Sequence, residues 1–162
     1  MIVVTGASGQ LGRLVIEALL QRVSAAEIVA VVRDSAKAGD LVARGVQLRQ
    51  ADYNQPATLE AAFQGADKLL LISSSEVGQR APQHRAVIDA AKAAGVKLMA
   101  YTSILHADTS PLGLATEHKE TEAALAASGV PTVLLRNGWY TENYETVVPT
   151  AVQYGAVMGS AK

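Results

Sequence analysis

Thr5-Gly6-Ala7-Ser8-Gly9-Gln10-Leu11-Gly12 sets three glycines at three-residue spacing directly after the apolar run Ile2-Val3-Val4. Such a pattern between a strand and a helix has a physical reason at each glycine. Gly6 allows the sharp turn off the strand, and Gly9 removes a side chain where backbone must approach a diphosphate. Gly12 lets the helix pack tightly on the sheet. The N–H groups that open the helix lack intrahelical partners and face an anion. Gly6, Ala7, Ser8, Gly9, Gln10, Leu11 and Gly12 are therefore expected to cradle a dinucleotide pyrophosphate. A glycine-rich turn in an α/β protein that holds no nucleotide is the competing reading.

The second apolar run, Ile28–Val32, leads into Arg33. Nucleotide sites of this kind place an acid here for a ribose 2′-hydroxyl, or an arginine for a 2′-phosphate. A guanidinium can grip a phosphate with two donors and stack on adenine, so Arg33 points to NADPH rather than NADH. Lys37 could add a second positive charge. Asp34 would serve a 2′-hydroxyl if the strand ended one residue later, and Arg33 would then be a solvated loop cation. Asp52 is placed either to contact the adenine amino group or to cap the helix beginning near Pro56. Ser73, Ser74 and Ser75 follow the fourth apolar run, where the nicotinamide ribose should lie. Ordinary turn chemistry is their alternative.

No proton donor of the usual kind is present. Short-chain reductases pair a tyrosine with a lysine four residues on, yet the residues four beyond the five tyrosines are Ala57, Leu105, Tyr144, Val148 and Met158. Ketone reduction creates a strongly basic alkoxide that must be protonated. A quinone gives a phenolate-like oxygen whose conjugate acid has a pKa of about 10, so a general acid matters less. His118 is the weak candidate for a catalytic group. Helical spacing puts it on one face with Thr121, Glu122 and Leu125, with Lys119 turned away. It could donate a proton or hold a ribose hydroxyl, or it could be a first-turn histidine satisfied by Glu122. His106 reads as polar loop lining.

The elements that must position these groups alternate along the chain. Nearly uniform apolar runs at Ile2–Val4, Ile28–Val32, Val46–Leu48, Leu69–Ile72, Leu98–Tyr101 and Thr132–Leu135 read as strands of a parallel sheet covered on both faces. Between them run helical stripes: Leu11, Leu14, Val15, Ala18 and Leu19, then Val87, Ile88 and Ala91, then Leu114, His118, Thr121 and Leu125. Pro56 suits a first helical turn, and Gly95 and Gly129 suit helix ends. The expected fold is a three-layer, doubly wound parallel sheet of order 3-2-1-4-5-6, a Rossmann fold with its ligand crevice at the carboxyl ends of the strands.

The 162 residues are read as one NAD(P)-binding domain over 1–162, with a core made aliphatic by the 4% aromatic content. A net charge of −1 gives no reason to expect nucleic acid or an anionic membrane as partner. The absence of cysteine excludes disulfides, thiolate catalysis and cysteine-ligated metal. The chain opens directly on a strand, so no leader is expected and the cytoplasm is the default location. Gly155-Ala156-Val157-Met158-Gly159 opens another apolar stretch that stops at Lys162, so a carboxyl-terminal substrate portion is expected to be missing.

Three further segments extend the pattern: Leu69–Ser75 continuing through Glu76-Val77-Gly78-Gln79-Arg80-Ala81-Pro82-Gln83-His84-Arg85, then Ala100–Asp108, then Leu135-Arg136-Asn137-Gly138-Trp139-Tyr140-Thr141-Glu142-Asn143-Tyr144. With the glycine loop and Arg33, they make the chain resemble the NmrA-like atypical short-chain dehydrogenases, in their quinone-reducing branch. The resemblance implies a flavin-free and metal-free reductase passing hydride from NADPH to a small quinone. It also implies a cofactor site lined by Gly6 to Leu11, Arg33, Ser73 to Ser75, and Gly138, Trp139, Tyr140, Thr141, Glu142 and Asn143. Many relatives carry lysine where His118 stands. The alternatives are a redox-sensing module that binds the nucleotide without turnover, and a ketone or alkene reductase with His118 as acid. Oligomeric state is not legible.

Overall fold

Six parallel strands form in the computed structural model, which describes residues 1–145 and 147–157: β1 (Ile2–Val4), β2 (Ile28–Val32), β3 (Gln47–Gln50), β4 (Lys68–Leu71), β5 (Leu98–Ile104) and β6 (Thr132–Asn137). Their order is β3-β2-β1-β4-β5-β6, the doubly wound arrangement expected from the sequence. Registers such as Val3 against Val29 and Leu69, and Leu69 against Met99, align the apolar runs side by side.

Strand alternation sends successive side chains to opposite faces, and helices cover both. On one face Val3, Val29, Val31, Leu69, Leu71, Met99 and Tyr101 pack with Leu59 and Phe63 of α3 (Pro56–Ala62) and the segment after it, with Val87, Ile88 and Ala91 of α4 (Arg80–Ala93), and with Leu125 of α5 (Gly113–Ser128). On the other, Val4, Ile28, Ala30 and Val32 pack with Ile16 of α1 (Gln10–Leu20) and Leu41 of α2 (Gly39–Ala43). Pro56 occupies the first turn of α3. Gly95 and Gly129 follow α4 and α5 in left-handed conformation, with φ of 73° and 77°.

Several details depart from the sequence reading. The buried stripe of α1 runs through Gly12 and Ile16, while Leu14 is 59% exposed and Ala18 is exposed too. Leu11, Val15 and Leu19 of the expected stripe are half-buried, and Val15 and Leu19 pack against this core beside Ile16, so the expected face overlaps the buried one and fails at Leu14 and Ala18. β5 runs three residues past Tyr101, pairing Thr102, Ser103 and Ile104 with Leu135, Arg136 and Asn137. A helix, α6 (Val147–Tyr154), follows β6 and was not foreseen. The expected apolar stretch after Gly155 lies, from Met158 on, outside the described residues.

Candidate functional site

The first residues beyond β1, β2, β3 and β4 converge on one edge of the sheet. They enclose a hollow of about 260 Å³ lined by Gly6, Ser8, Gly9, Arg33, Asp52, Tyr53, Glu76 and Gln83 among others, with Ser73, Ser74 and Ser75 along one side. A second hollow of about 270 Å³ lies across that serine ridge, lined by the same three serines, Thr102, Ser103, Leu114, His118, Asn137, Gly138, Trp139, Tyr140 and Asn143. Two compartments sharing one ridge suit an elongated ligand with a different chemical group at each end.

The glycine loop is shaped for a backbone-only approach. Gly6 has φ 60°, which takes the chain sharply off β1. A Cβ on Gly12 would lie 2.4 Å from Gly6 O and 2.7 Å from Ala7 Cα. Gly12 therefore seats α1 against the loop itself, and not against the sheet as expected. Gly9 caps α1 without a side-chain bond, which leaves the opening N–H groups of an eleven-residue helix beside the first hollow. Ala7 turns inward: its side chain is fully buried and its N–H donates to Val31 O. Gln10, Leu11 and Gly12 sit on the first turn of α1 and contribute no side chain to the hollow's lining.

Arg33 follows the last residue of β2 and lines the first hollow. Its Nη1 donates to Glu76 Oε1 at 2.8 Å. The other carboxylate oxygen of Glu76 accepts from Gln83 Nε2 at 2.7 Å. Gln83 Nε2 also donates to Asn54 Oδ1, and Gln83 Oε1 is a buried oxygen without a hydrogen-bond partner among the described residues. Asp34 lies outside this hollow, because β2 ends early enough for its carboxylate to accept from Ala36 N and cap the turn at Ser35–Ala38. Lys37 is an exposed partner of Asp34 at 3.9 Å and does not line the hollow either. Asp52 does line it. Its Oδ1 accepts from Asn54 N rather than from the start of α3, whose N-cap Gln55 makes no side-chain bond, so the helix-capping alternative is not observed.

The serine ridge is held from below. Ser73 N–H donates to Thr102 Oγ1 at 2.8 Å, Ser74 N–H donates to His84 Nε2 at 2.9 Å, and Ser74 O accepts from Arg80 Nε at 2.6 Å. Ser74 Oγ accepts from Glu76 N in a local turn, so turn chemistry and a place in the hollow coexist. Arg80 is 5% exposed and pairs with Glu117 Oε2 at 2.9 Å, while Glu117 Oε1 accepts from Gly78 N and Arg80 N.

In the second hollow His118 is buried, as its helical face required, but its partner is Tyr101 and not Glu122. Tyr101 Oη lies 2.6 Å from His118 Nδ1, whereas Glu122 accepts from Ser103 Oγ and from Arg136. Burial, assisted by the positive charge of Arg80, lowers the His118 pKa to about 4. Burial also pushes the Tyr101 hydroxyl above its ordinary value, so it keeps its proton. The imidazole is therefore neutral, and where His118 Nδ1 accepts the Tyr101 proton it carries its own hydrogen on Nε2. Gly138, Trp139, Tyr140 and Asn143 line this hollow, while Thr141 and Glu142 lie on an exposed turn beside it. His106 is an exposed turn residue with φ 54° and lines neither hollow.

Sequence reading missed Tyr53, Tyr101, Thr102, Glu76, Gln83 and His84 as site residues. The polar residues at the end of β5 carried a usable signal, since Thr102 and Ser103 extend an otherwise apolar strand. Among the described residues no cluster of His, Asp or Glu could hold a metal ion, and no helix is long and apolar enough to cross a membrane.

Comparison with known proteins adds to this geometry. Residues 6–161 match a family described as NAD(P)H-binding. Quinone oxidoreductase 2 of Escherichia coli is 64% identical over 161 residues, covering 99% of this chain and 56% of that protein. A crystal structure described as the NADPH-dependent quinone oxidoreductase of E. coli complexed with NADPH superposes with a TM-score of 0.95, covering 99% of this chain and 57% of that one. Citrobacter sp. triphenylmethane reductase complexed with NADP(H) is 42% identical with a TM-score of 0.87, covering 93% of this chain and 56% of that one. An NmrA-like oxidoreductase of Aspergillus flavus is 31% identical over 148 residues, 87% of this chain and 48% of that protein. The chain thus spans about half the length of the relatives it matches.

Proposed function

The chain belongs to the NAD(P)H-binding family, and we propose that it is the cofactor-holding part of an NADPH-dependent quinone reductase. The single observation that carries the cofactor choice is Arg33, the first residue beyond β2, with its guanidinium at the rim of the hollow that Gly6 and Gly9 floor. The residues fit the nucleotide on three counts. The Gly6–Gly12 crossing is too tight for side chains, the opening of α1 faces the hollow, and a cation waits where a 2′-phosphate would lie.

On this reading Gly6, Ala7, Ser8 and Gly9 shape the backbone around the pyrophosphate, the unpaired N–H groups of Gln10, Leu11 and Gly12 at the opening of α1 hold it, and Arg33 grips the 2′-phosphate. Asp52 meets the adenine amino group. Ser73, Ser74 and Ser75 hold the ribose, and Gly138 to Asn143 flank the nicotinamide end. Bound NADPH supplies hydride, and no flavin is required. His118 presents a neutral Nε2–H toward the second hollow, where it can steady a developing oxygen charge without surrendering a proton. The missing Tyr-x-x-x-Lys pair and the name of the E. coli relative support a quinone as the acceptor. The whole of 1–162 then acts as one nucleotide-binding domain, in the cytoplasm.

Mixing the chain with NADPH and a panel of small quinones tests the proposal. Loss of NADPH absorbance supports it. Tight NADP⁺ binding with no consumption across the panel overturns it in favour of a redox-sensing module, a reading that the NmrA-like relative supports.

A further inference from the structure

His84 is a fully buried histidine on α4 that the proposed chemistry does not use. Its hydrogen bonds fix its tautomer. Ser74 N–H can only donate, so His84 Nε2, 2.9 Å away, must accept and carries no proton. The ring proton then sits on Nδ1, 3.0 Å from Thr121 Oγ1. Thr121 can accept it, because its own hydroxyl proton goes to Glu117 O at 2.8 Å. Tyr53 and Tyr101 close the ring in edge-on contacts, with centroids 6.3 and 5.3 Å away.

The ridge that separates the two hollows is thus tied to β5 and to α4 behind it. Thr102 takes the N–H of Ser73, His84 takes that of Ser74, and Arg80 takes the carbonyl of Ser74. Thr102 Oγ1 always has a lone pair free to accept, and the permanently charged Arg80 always donates. His84 alone among the three must be in one tautomer for its contact to exist, since either the Nε2–H form or the imidazolium would set a donor against a donor. Burial and the neighbouring charge of Arg80 lower its pKa to about 3, which keeps the neutral form in place.

We propose that His84 is a positioning residue for the nucleotide site: locked as the Nδ1–H tautomer between Thr121 and Ser74, it sets the height of the Ser73–Ser75 ridge on which the ribose end of the cofactor rests. The inference rests on the reading of the groove as an NADPH site. Ser74 carries no charge that could tell a 2′-phosphate from a 2′-hydroxyl, so loss of the His84 contact should weaken NADPH and NADH alike, unlike loss of Arg33.

Two measurements test it. Nitrogen NMR of the histidine rings in the 162-residue chain at neutral pH should show one ring protonated on Nδ1 and bare on Nε2; its replacement in His84→Gln identifies it. An Nε2–H or doubly protonated ring at this position overturns the inference whatever the nucleotide does. NADPH and NADH titrations of His84→Leu, which removes the acceptor, should give affinities for both weaker by about tenfold. In His84→Gln, whose amide oxygen can replace Nε2, most of the affinity should return. Equal affinity in wild type and His84→Leu, or no rescue by glutamine in a folded variant, contradicts the positioning role. A wild-type chain that binds neither nucleotide overturns the nucleotide reading instead, and leaves the tautomer result standing.

Discussion

Arg33 Nη1 and Glu76 Oε1 lie 2.8 Å apart at the rim of the hollow floored by Gly6 and Gly9, so the cation that would grip a 2′-phosphate already holds a carboxylate. The two oxygens of Glu76 are divided between Arg33 and Gln83, which fixes the carboxylate in place. Arg33→Ala should therefore weaken NADPH by roughly ten- to a hundredfold, in line with a charge-assisted bidentate contact, and leave NADH nearly unchanged. Both side chains are substantially exposed. Glu76→Gln should consequently strengthen NADPH only modestly, by about fivefold at most. Parallel titrations of the two nucleotides check both. An unchanged preference in Arg33→Ala would reject Arg33 as the selector.

Gly12→Ala should be far more damaging than an alanine in a helix first turn usually is. Its Cβ would fall 2.4 Å from Gly6 O, a contact only backbone movement can relieve. The expected cost is about 1–3 kcal/mol of stability, together with loss of nucleotide binding as the loop is pushed off α1. Chemical denaturation and NADPH titration of the same variant measure the two. Gly39→Ala, where an added Cβ meets nothing within 4 Å, is the control.

Stability should fall between pH 6.5 and pH 4.5. His84 and His118 are held at pKa values of about 3 and about 4, both chiefly by burial and then by Arg80; Glu117 and Glu122 oppose this at His118. In the unfolded chain each takes a proton near its ordinary pKa of about 6.5. Their contribution is thus complete above that value and is lost progressively as pH falls toward about 4 for His118 and about 3 for His84, by up to about 1.4 kcal/mol per pH unit for each histidine. The Asp67 carboxyl, lowered to about 2 by Lys97 and the amino terminus, acts below about pH 4.5. Urea midpoints at pH 7.5 and 4.5 check the slope, and His84→Gln should flatten it.

His118→Gln should lower quinone turnover by less than about tenfold, well short of the hundredfold or more that removal of a general acid costs. The physical reason is that a histidine held near pKa 4 has no extra proton to give at neutral pH. A hundredfold fall, or a turnover profile that tracks the histidine's titration, would favour the ketone or alkene reductase reading instead.

The fold was legible because its signals are local and repeated. Ile2–Val4 and Ile28–Val32 are strands at the bounds their apolar runs mark. The positions of Gly6 and Arg33 were legible for the same reason: each stands just beyond a strand whose apolar run marks its end. What escaped was whatever depends on distant partners. Tyr101 is seventeen residues from His118 and His84 is ten from Ser74, and no periodicity links them. The expectation that Glu122 would satisfy His118 followed helical spacing, but Arg136 and Ser103 from neighbouring strands had the stronger hold on that carboxylate. β6 is a further case, for Val133, Leu134 and Leu135 read like core residues and are 38–44% exposed on the sheet edge.

The most direct test of the central claim is a stoichiometric one. The chain is mixed anaerobically with NADPH and a benzoquinone, with flavin removed, and both NADPH and hydroquinone are counted. The expected result is one hydroquinone formed for each NADPH consumed, with NADH a markedly poorer donor. NADPH that remains unconsumed while bound to the chain would contradict the claim.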